Sequence, residues 1–176
     1  IKKKYNLNFQ AVDFIGKKWM CARNDIDFLS NIEFIDHCKE LRKNKACEYY
    51  ENYYDKSKFF KNKNLLREIS NLPMHVENVV EVSKEAKVCP FEVSADIAKK
   101  AKIVIADYFH FLNPTTRNSF LERIEKNLID CILIWDEAHN VPDRARDLMS
   151  VNINTFFLDN AIKEAEQSSR FEKLEY

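Results

Sequence analysis

Glycine is almost missing from this sequence, which holds one, Gly16, in 176 residues. At ordinary usage of ~7%, a globular chain of this length would hold about a dozen. A Walker A loop and a G-x-G-x-x-G dinucleotide fingerprint each need at least two glycines. The sequence therefore supplies neither of the two common phosphate-binding loops.

Long apolar runs and a secretory leader are also missing. No stretch approaches 18 uncharged apolar residues, and no basic-apolar-small segment opens the chain. We therefore expect no membrane partner and a cytoplasmic protein, or a nuclear one in a eukaryote. The sequence begins at Ile1 without an initiator Met and stops at Tyr176 inside a helical pattern, so we expect a fragment of a larger protein.

Net charge is zero, with 28 basic and 28 acidic residues, but the charges are unevenly placed. Residues 1–68 carry 15 Lys or Arg against 10 Asp or Glu, whereas residues 69–176 carry 13 against 18. A basic half joined to an acidic half is compatible with nucleic-acid contact on one side only.

Apolar patterning predicts a mixed α/β fold with parallel strands. Buried strands are expected at 10–15, 103–106 and 131–135, with the last two flanking a helix that carries Phe120, Ile124 and Leu128, as in a βαβ unit. Further helices are expected near 32–41, 62–71, 77–87, 90–101 and 142–149, and from Asn154 or Thr155 to the end.

An acidic tetrapeptide follows the third predicted strand directly, at Asp136-Glu137-Ala138-His139. Open parallel sheets place their chemistry at the carboxyl ends of strands. One carboxylate there can face a Mg²⁺ shell, and the next can accept a proton from an attacking water. The competing interpretation is a polar turn that happens to follow a strand.

The chain has five cysteines, an odd number that does not favour a disulfide framework. Cys131 lies within a predicted apolar strand and is interpreted as a core residue. Cys21, Cys38, Cys47 and Cys89 are spaced C-x16-C-x8-C-x41-C, without the C-x2-C pair of common zinc sites. Spacing alone leaves open a metal centre or ordinary buried thiols.

A family resemblance begins at Ile134-Trp135-Asp136-Glu137-Ala138-His139-Asn140, which resembles motif II of superfamily 2 DEAH-box helicases. It implies Asp136 as the Mg²⁺-side carboxylate, Glu137 as the base for the hydrolytic water, and His139 as the link to nucleic acid. Four upstream cysteines narrow the resemblance to XPD-type iron–sulfur DNA helicases. Further matching segments are Gly16-Lys17-Lys18-Trp19-Met20-Cys21, Cys47-Glu48-Tyr49-Tyr50, Cys89-Pro90-Phe91-Glu92 and Tyr108-Phe109-His110-Phe111-Leu112-Asn113-Pro114.

The resemblance implies a partial RecA-like motor domain plus a small, mainly helical four-cysteine insertion. Cys21, Cys38, Cys47 and Cys89 would ligate a [4Fe–4S] cluster, which needs four thiolates. The implied division is motor segments at 1–20 and 90–145, the iron–sulfur domain at 21–89, and the start of the arch domain at 146–176. Ser150-Val151-Asn152-Ile153 resembles the crossing into that arch.

Nine basic residues and six aromatic residues lie between Lys39 and Arg67. Cations beside stacking rings suit single-stranded nucleic acid, although the tyrosines there would equally pack a small domain. The resemblance favours DNA contact. The candidates are Lys17, Lys18, Arg23, Lys56, Lys58, Lys61 and Lys63.

Two functions are carried forward. The leading one is a fragment of an ATP-dependent 5′-to-3′ DNA helicase of XPD type, or of a DinG-like or FancJ-like paralogue. It would use ATP and Mg²⁺ with the rest of its chain, act on single-stranded and fork DNA, and serve nucleotide excision repair with repair or transcription-factor subunits. The alternative is a non-catalytic metal-binding module for nucleic acid, loaded with zinc or an iron–sulfur cluster.

Overall fold

The structure, a computed structural model, describes residues 9–71, 75–150 and 155–167. The chain forms two compact units, Ile1–Ile134 and Trp135–Tyr176. Within the described ranges, every helix is too short or too polar to cross a membrane.

A parallel two-stranded sheet organises the first unit. Strand β1 spans Ala11–Phe14 and strand β2 spans Ile103–Ala106, with Ala11 opposite Ile103. The strands predicted at 10–15 and 103–106 are thus confirmed, and they are neighbours. The chain between them is one long crossover, and it carries all four candidate ligand cysteines.

Five helices lie in the crossover, so the described residues between the two strands are mainly helical. They are α1 (Asn31–Lys43), α2 (Glu48–Tyr54), α3 (Phe59–Asn71), α4 (Val76–Glu85) and α5 (Pro90–Lys100). A capping box opens α1, in which the Ser30 hydroxyl accepts from the Glu33 N–H and the Glu33 carboxylate accepts from the Ser30 N–H.

Two further helices follow β2, namely α6 (Phe109–Leu112) and α7 (Pro114–Ile124). The Asn113 side chain caps α7 by accepting from the Thr116 N–H at 2.9 Å. Phe120 and Ile124 are buried, as the predicted apolar face requires.

The core of the first unit centres on α5 and β1. Val93, Ala95 and Ala98 of α5 are fully buried, and the Phe14 ring meets the Phe120 ring edge-on with centroids 5.0 Å apart. Because α5 leads directly into β2, its packing fixes the position of Cys89 relative to the sheet.

The strand predicted at 131–135 is wrong, since that segment is irregular and exposed. Ile132 and Ile134 are 92% and 90% exposed, and Cys131 is exposed instead of lying in a core. The predicted burial of β2 on both faces is also wrong, because Ile105 is 60% exposed. The physical reason is shared: β2 pairs with β1, and the described residues supply no further strand to hold the 131–135 backbone.

The second unit contributes α8 (Val141–Met149) and α9 (Thr155–Gln167), close to the predicted helices. The expected arch crossing at 150–153 lies outside the described residues apart from Ser150.

Candidate metal centre and nucleic-acid interface

Four of the five cysteines line one cavity of the first unit, and they are Cys21, Cys38, Cys47 and Cys89. Cys38 lies within α1, whereas Cys47 and Cys89 are the residues that precede α2 and α5. The fold therefore brings together the four thiols that the sequence spreads over 69 positions, 21 to 89.

A tight turn delivers Cys21 to the cavity. The Gly16 carbonyl accepts from the Trp19 N–H at 2.8 Å, and the Cys21 N–H donates to the Lys18 carbonyl at 3.1 Å. A Cβ on Gly16 would stand 3.1 Å from Cδ1 of Trp19, a close contact for a side chain. The single glycine therefore sits where the turn and the indole ring approach each other.

Burial raises the pKa of two of the cavity thiols, Cys21 and Cys89. Burial raises the pKa of Cys89 to about 12, although a backbone N–H of Glu92 and the cation of Lys17 act in the opposite direction. Burial likewise raises the pKa of Cys21, with smaller increases from Cys38 and Cys47. Metal binding at such thiols must displace protons.

The donor set consists of four thiols around one cavity, the number of thiolates that a [4Fe–4S] cluster needs. A tetrahedral zinc ion with four Zn–S bonds of ~2.3 Å draws its sulfurs to within about 4 Å of one another. Among the described residues, no three Cys, His, Asp or Glu side chains are grouped tightly enough to hold one metal ion. A four-iron cluster bonds each thiolate to a different iron, so its thiols surround a cavity.

Arg42 is a cavity residue that the sequence reasoning missed. Arg42 lies one helical turn after Cys38, so spacing along α1 was the available signal. Its guanidinium lies over the Tyr50 ring at 5.4 Å, and its Nε is a buried atom without a partner among the described residues. His37 also lines the cavity.

A polar cluster behind the cavity joins three helices. Arg123 of α7 donates from Nε to Glu92 at 2.7 Å and from both Nη atoms to Asp96 at 3.1 Å. The Tyr54 hydroxyl donates to Glu92 at 2.7 Å, and the Tyr53 hydroxyl donates to Asp96. We call these five residues the α2–α5–α7 cluster.

The opposite charges of the α2–α5–α7 cluster shift the pKa values of Arg123 and Asp96. Burial lowers the pKa of Arg123, but the charge and hydrogen bond of Glu92, together with the charges of Tyr54 and Asp96, outweigh burial, and the net shift is upward. Burial raises the pKa of Asp96, whereas hydrogen bonds from Tyr53, Lys99 and Arg123 lower it and prevail. Both groups are therefore held in their charged forms.

The structure sorts the seven basic candidates into two groups. Lys18 donates to the Asp27 and Leu29 carbonyls at 3.1 and 2.6 Å, Arg23 pairs with Asp25, and Lys58 bonds Asn52. Lys17 lies over the Phe91 ring in the cavity wall. The remaining candidates are exposed, and they are Lys56, Lys61 and Lys63.

The aromatic residues also form two groups, those engaged with their own chain and those that are exposed. Tyr53 is 8% exposed and Tyr54 is hydrogen-bonded, as the packing interpretation predicts. Phe59 and Phe60 are 57% and 79% exposed at the start of α3, with Lys63 over the Phe59 ring. We call Lys56, Phe59, Phe60, Lys61 and Lys63 the α3 surface.

The acidic tetrapeptide lies at the start of the second unit, on an exposed turn. Asp136 Oδ1 accepts from the Glu137 N–H at 3.0 Å, and His139 Nδ1 lies 3.4 Å from a Glu137 carboxylate oxygen. Glu137 has φ 48°, in the left-handed region that costs a side-chain-bearing residue free energy. The motif thus comes together as a strained local turn, without the strand predicted before it.

Comparison with known proteins gives consistent matches over most of the chain. Residues 1–158 match the DEAD_2 family. The chain is 31% identical over 141 residues to the ATP-dependent DNA helicase CHL1 of Kluyveromyces lactis, covering 79% of this chain and 16% of that protein. It is 29% identical over 140 residues to the Fanconi anemia group J protein homolog of Gallus gallus, covering 77% and 10%.

A third relative is more distant. The regulator of telomere elongation helicase 1 homolog of Arabidopsis thaliana is 22% identical over 155 residues, covering 86% of this chain. The chain spans only 14% of that protein's length, and between 10% and 16% of the other two relatives. The matched relatives are thus much longer proteins, and two of the three are named as helicases.

Proposed function

Because the chain belongs to the DEAD_2 family, we propose that it is a segment of an ATP-dependent 5′-to-3′ DNA helicase of the XPD-type iron–sulfur branch of superfamily 2. The observation that carries this proposal is the cavity lined by Cys21, Cys38, Cys47 and Cys89 upstream of the Asp136-Glu137-Ala138-His139 motif. A CHL1-like or FancJ-like parent is the same proposal with a different member of the branch.

The four cysteines would hold a [4Fe–4S] cluster. Bound there, the cluster would tie together the helices of a long crossover and so offset part of the entropy of ordering it. The supporting facts are the shared cavity and the half-buried position of the four cysteines. The role we assign to it is a structural staple at the point where the duplex opens.

Nucleotide chemistry would fall to the exposed turn of the second unit. Asp136 would face the Mg²⁺ shell, Glu137 would accept a proton from the attacking water, and His139 would couple this site to nucleic acid. The sequence has no phosphate-binding loop, so ATP and Mg²⁺ would need further residues of the helicase. We expect no ATP turnover from residues 1–176 alone.

Single-stranded and fork DNA would meet the α3 surface. Exposed rings beside exposed ammonium groups supply stacking and phosphate pairing together. The other four basic candidates, at positions 17, 18, 23 and 58, are engaged with their own chain, so we assign them to holding the cavity wall and its turns. Repair complexes, including those of nucleotide excision repair, and a cytoplasmic or nuclear location complete the proposal.

Iron analysis tests the metal part of the proposal. Anaerobically purified chain should be brown, with about four irons per chain, and replacing any cavity cysteine with Ser should remove or destabilise the colour. Cys131→Ser is the matched control, because that thiol is exposed and is not part of the cavity wall. Colour lost only in Cys131→Ser would refute the ligand assignment.

The same measurement decides the alternative. Zinc in place of iron in anaerobic preparations would favour the non-catalytic metal-binding module. A colourless chain without either metal would refute a metal centre of any kind. The metal content per chain therefore separates the three outcomes.

A further inference from the structure

We propose that Arg123 is a positioning residue for the four-cysteine cavity, because it fixes the spacing of the helices that follow Cys47 and Cys89. This inference rests on the proposed metal site. It concerns a side chain of α7, which lies 34 positions after the last cavity cysteine.

Helix α2 is hydrogen-bonded to α5 and its N-cap at two places. Near the start of α2, the Cys89 N–H donates to the Tyr49 carbonyl at 3.0 Å. At the end of α2, Tyr54 donates to Glu92 at 2.7 Å and Tyr53 donates to Asp96. The position of α2 against α5 therefore depends on both sets of bonds.

Arg123 is the cation that the Glu92–Tyr54 and Asp96–Tyr53 hydrogen-bonded pairs share. Its planar fork contacts Glu92 at 2.7 Å, Asp96 at 3.1 Å and the Tyr54 hydroxyl at 3.2 Å. Asp96 has a second cation, since Lys99 Nζ lies 3.1 Å away. Within the described ranges, the ion pair of Glu92 is with Arg123.

Because Glu92 is buried, its carboxylate depends strongly on the ion pair with Arg123. Glu92 is 2% exposed, so its carboxylate depends on hydrogen bonds and on a nearby cation in place of water. Without the guanidinium, two carboxylates on one face of α5 would repel each other and draw in water. The expected result is a shift of α2 against α5, and the shift carries Cys47 and Cys89 apart.

Groups that hold metal ligands in place typically change metal affinity by about 10- to 100-fold when removed. We therefore expect Arg123→Met to release iron to a chelator about 10- to 100-fold faster than the unaltered chain. Arg123→Lys keeps the positive charge but loses the planar guanidinium group. Its rate of iron release should therefore lie between those of the unaltered chain and of Arg123→Met. The control is Arg146→Met, which breaks an exposed Arg–Asp pair in the second unit.

A rescue separates positioning from general destabilisation. Glu92→Gln combined with Arg123→Met removes both charges of the buried pair, and should recover iron retention relative to Arg123→Met alone. If Arg123→Met does not fold by circular dichroism, Arg123→Lys is compared with Arg146→Lys instead. Iron release from the Arg123 variant equal to that from its Arg146 control overturns the inference.

A metal-independent readout keeps this inference distinct from the proposed function. Hydrogen exchange of the Cys89 amide reports its bond to the Tyr49 carbonyl directly, and should be faster in Arg123→Met. Absence of iron from the unaltered chain refutes the metal centre, while faster exchange still supports the coupling. Unchanged exchange together with unchanged iron release refutes the role of Arg123 and leaves the metal centre standing.

Discussion

The cysteine cavity starts from a less specific sequence pattern than the acidic turn, yet its side chains are held by more of the surrounding structure. The cavity is walled by helices of the crossover, and the Glu92 side chain behind it is 3% exposed. The acidic turn is exposed at Asp136, Glu137 and His139. A motif therefore indicates chemistry, whereas the surrounding chain decides whether the side chains are already held in place.

The difference has a physical cause in how each region satisfies its backbone. The crossover contains complete helices, and helices make their hydrogen bonds internally. The segment at 131–135 would need to pair with a neighbouring strand, and among the described residues it pairs with neither β1 nor β2. The acidic turn follows that unsupported segment.

The largest effect should come from the acidic turn in a complete helicase. Glu137→Gln removes the proton acceptor with little change of volume, and should lower DNA-stimulated ATP hydrolysis by about 10²- to 10⁴-fold. Phosphate release at saturating ATP measures it. Nucleotide binding, followed by fluorescent-analogue titration, should stay unchanged.

The companion variant for Glu137→Gln is Glu164→Gln, a carboxylate of the same unit on exposed α9. It should leave hydrolysis unaltered. Equal losses in both variants would show that the acidic turn has no special role, and full unwinding by Glu137→Gln would end the motif II assignment.

Sequence reasoning located both paired strands and most of the helices because their signals are local, but it did not predict α2 or α6. The apolar spacing through Phe120 and Ile124 and the Pro90 at a helix start each act within a few residues. It failed at 131–135, since an apolar run shows a preference for burial but does not supply the neighbouring strand.

The candidate site also has features that the sequence indicated and features that only the structure shows. The four cysteines were identified through a family resemblance, and the structure adds that they share a cavity. The Glu92–Arg123 pair escaped notice because its partners lie 31 positions apart, and a long-range ion pair leaves no periodic mark. Engagement of Lys18 with two carbonyls was equally invisible in the sequence.

The next largest effect concerns the stability of the first unit, which should depend on buried side chains far more than on exposed ones. Phe120 is 3% exposed and its ring meets that of Phe14, so Phe120→Ala should destabilise the first unit by about 3–5 kcal/mol. Ile134→Ala removes an equally apolar side chain that is 90% exposed, and should change stability by less than about 0.5 kcal/mol. Urea unfolding monitored by circular dichroism compares the two variants, and similar costs would contradict the burial contrast.

The smallest effect concerns the α3 surface, where we expect single-stranded DNA to bind exposed side chains instead of a pocket. Phe60 is 79% exposed, and its loss should weaken single-stranded DNA binding by about 1–3 kcal/mol if one base stacks on it. Phe28→Ala is the control, because Phe28 is 82% exposed but lies beside Asp25 and Asp27.

Salt dependence separates the ring from the cations on that same surface. Phe60→Ala should weaken binding without changing the slope of affinity against salt, since no phosphate contact is lost. Lys61→Ala should lower that slope by about one, because one released counterion is lost. Fluorescence anisotropy of a labelled oligonucleotide at several salt concentrations measures both. The prediction fails if Phe28→Ala weakens binding as much as Phe60→Ala, since exposure alone, and not the basic neighbours of α3, would then explain the loss.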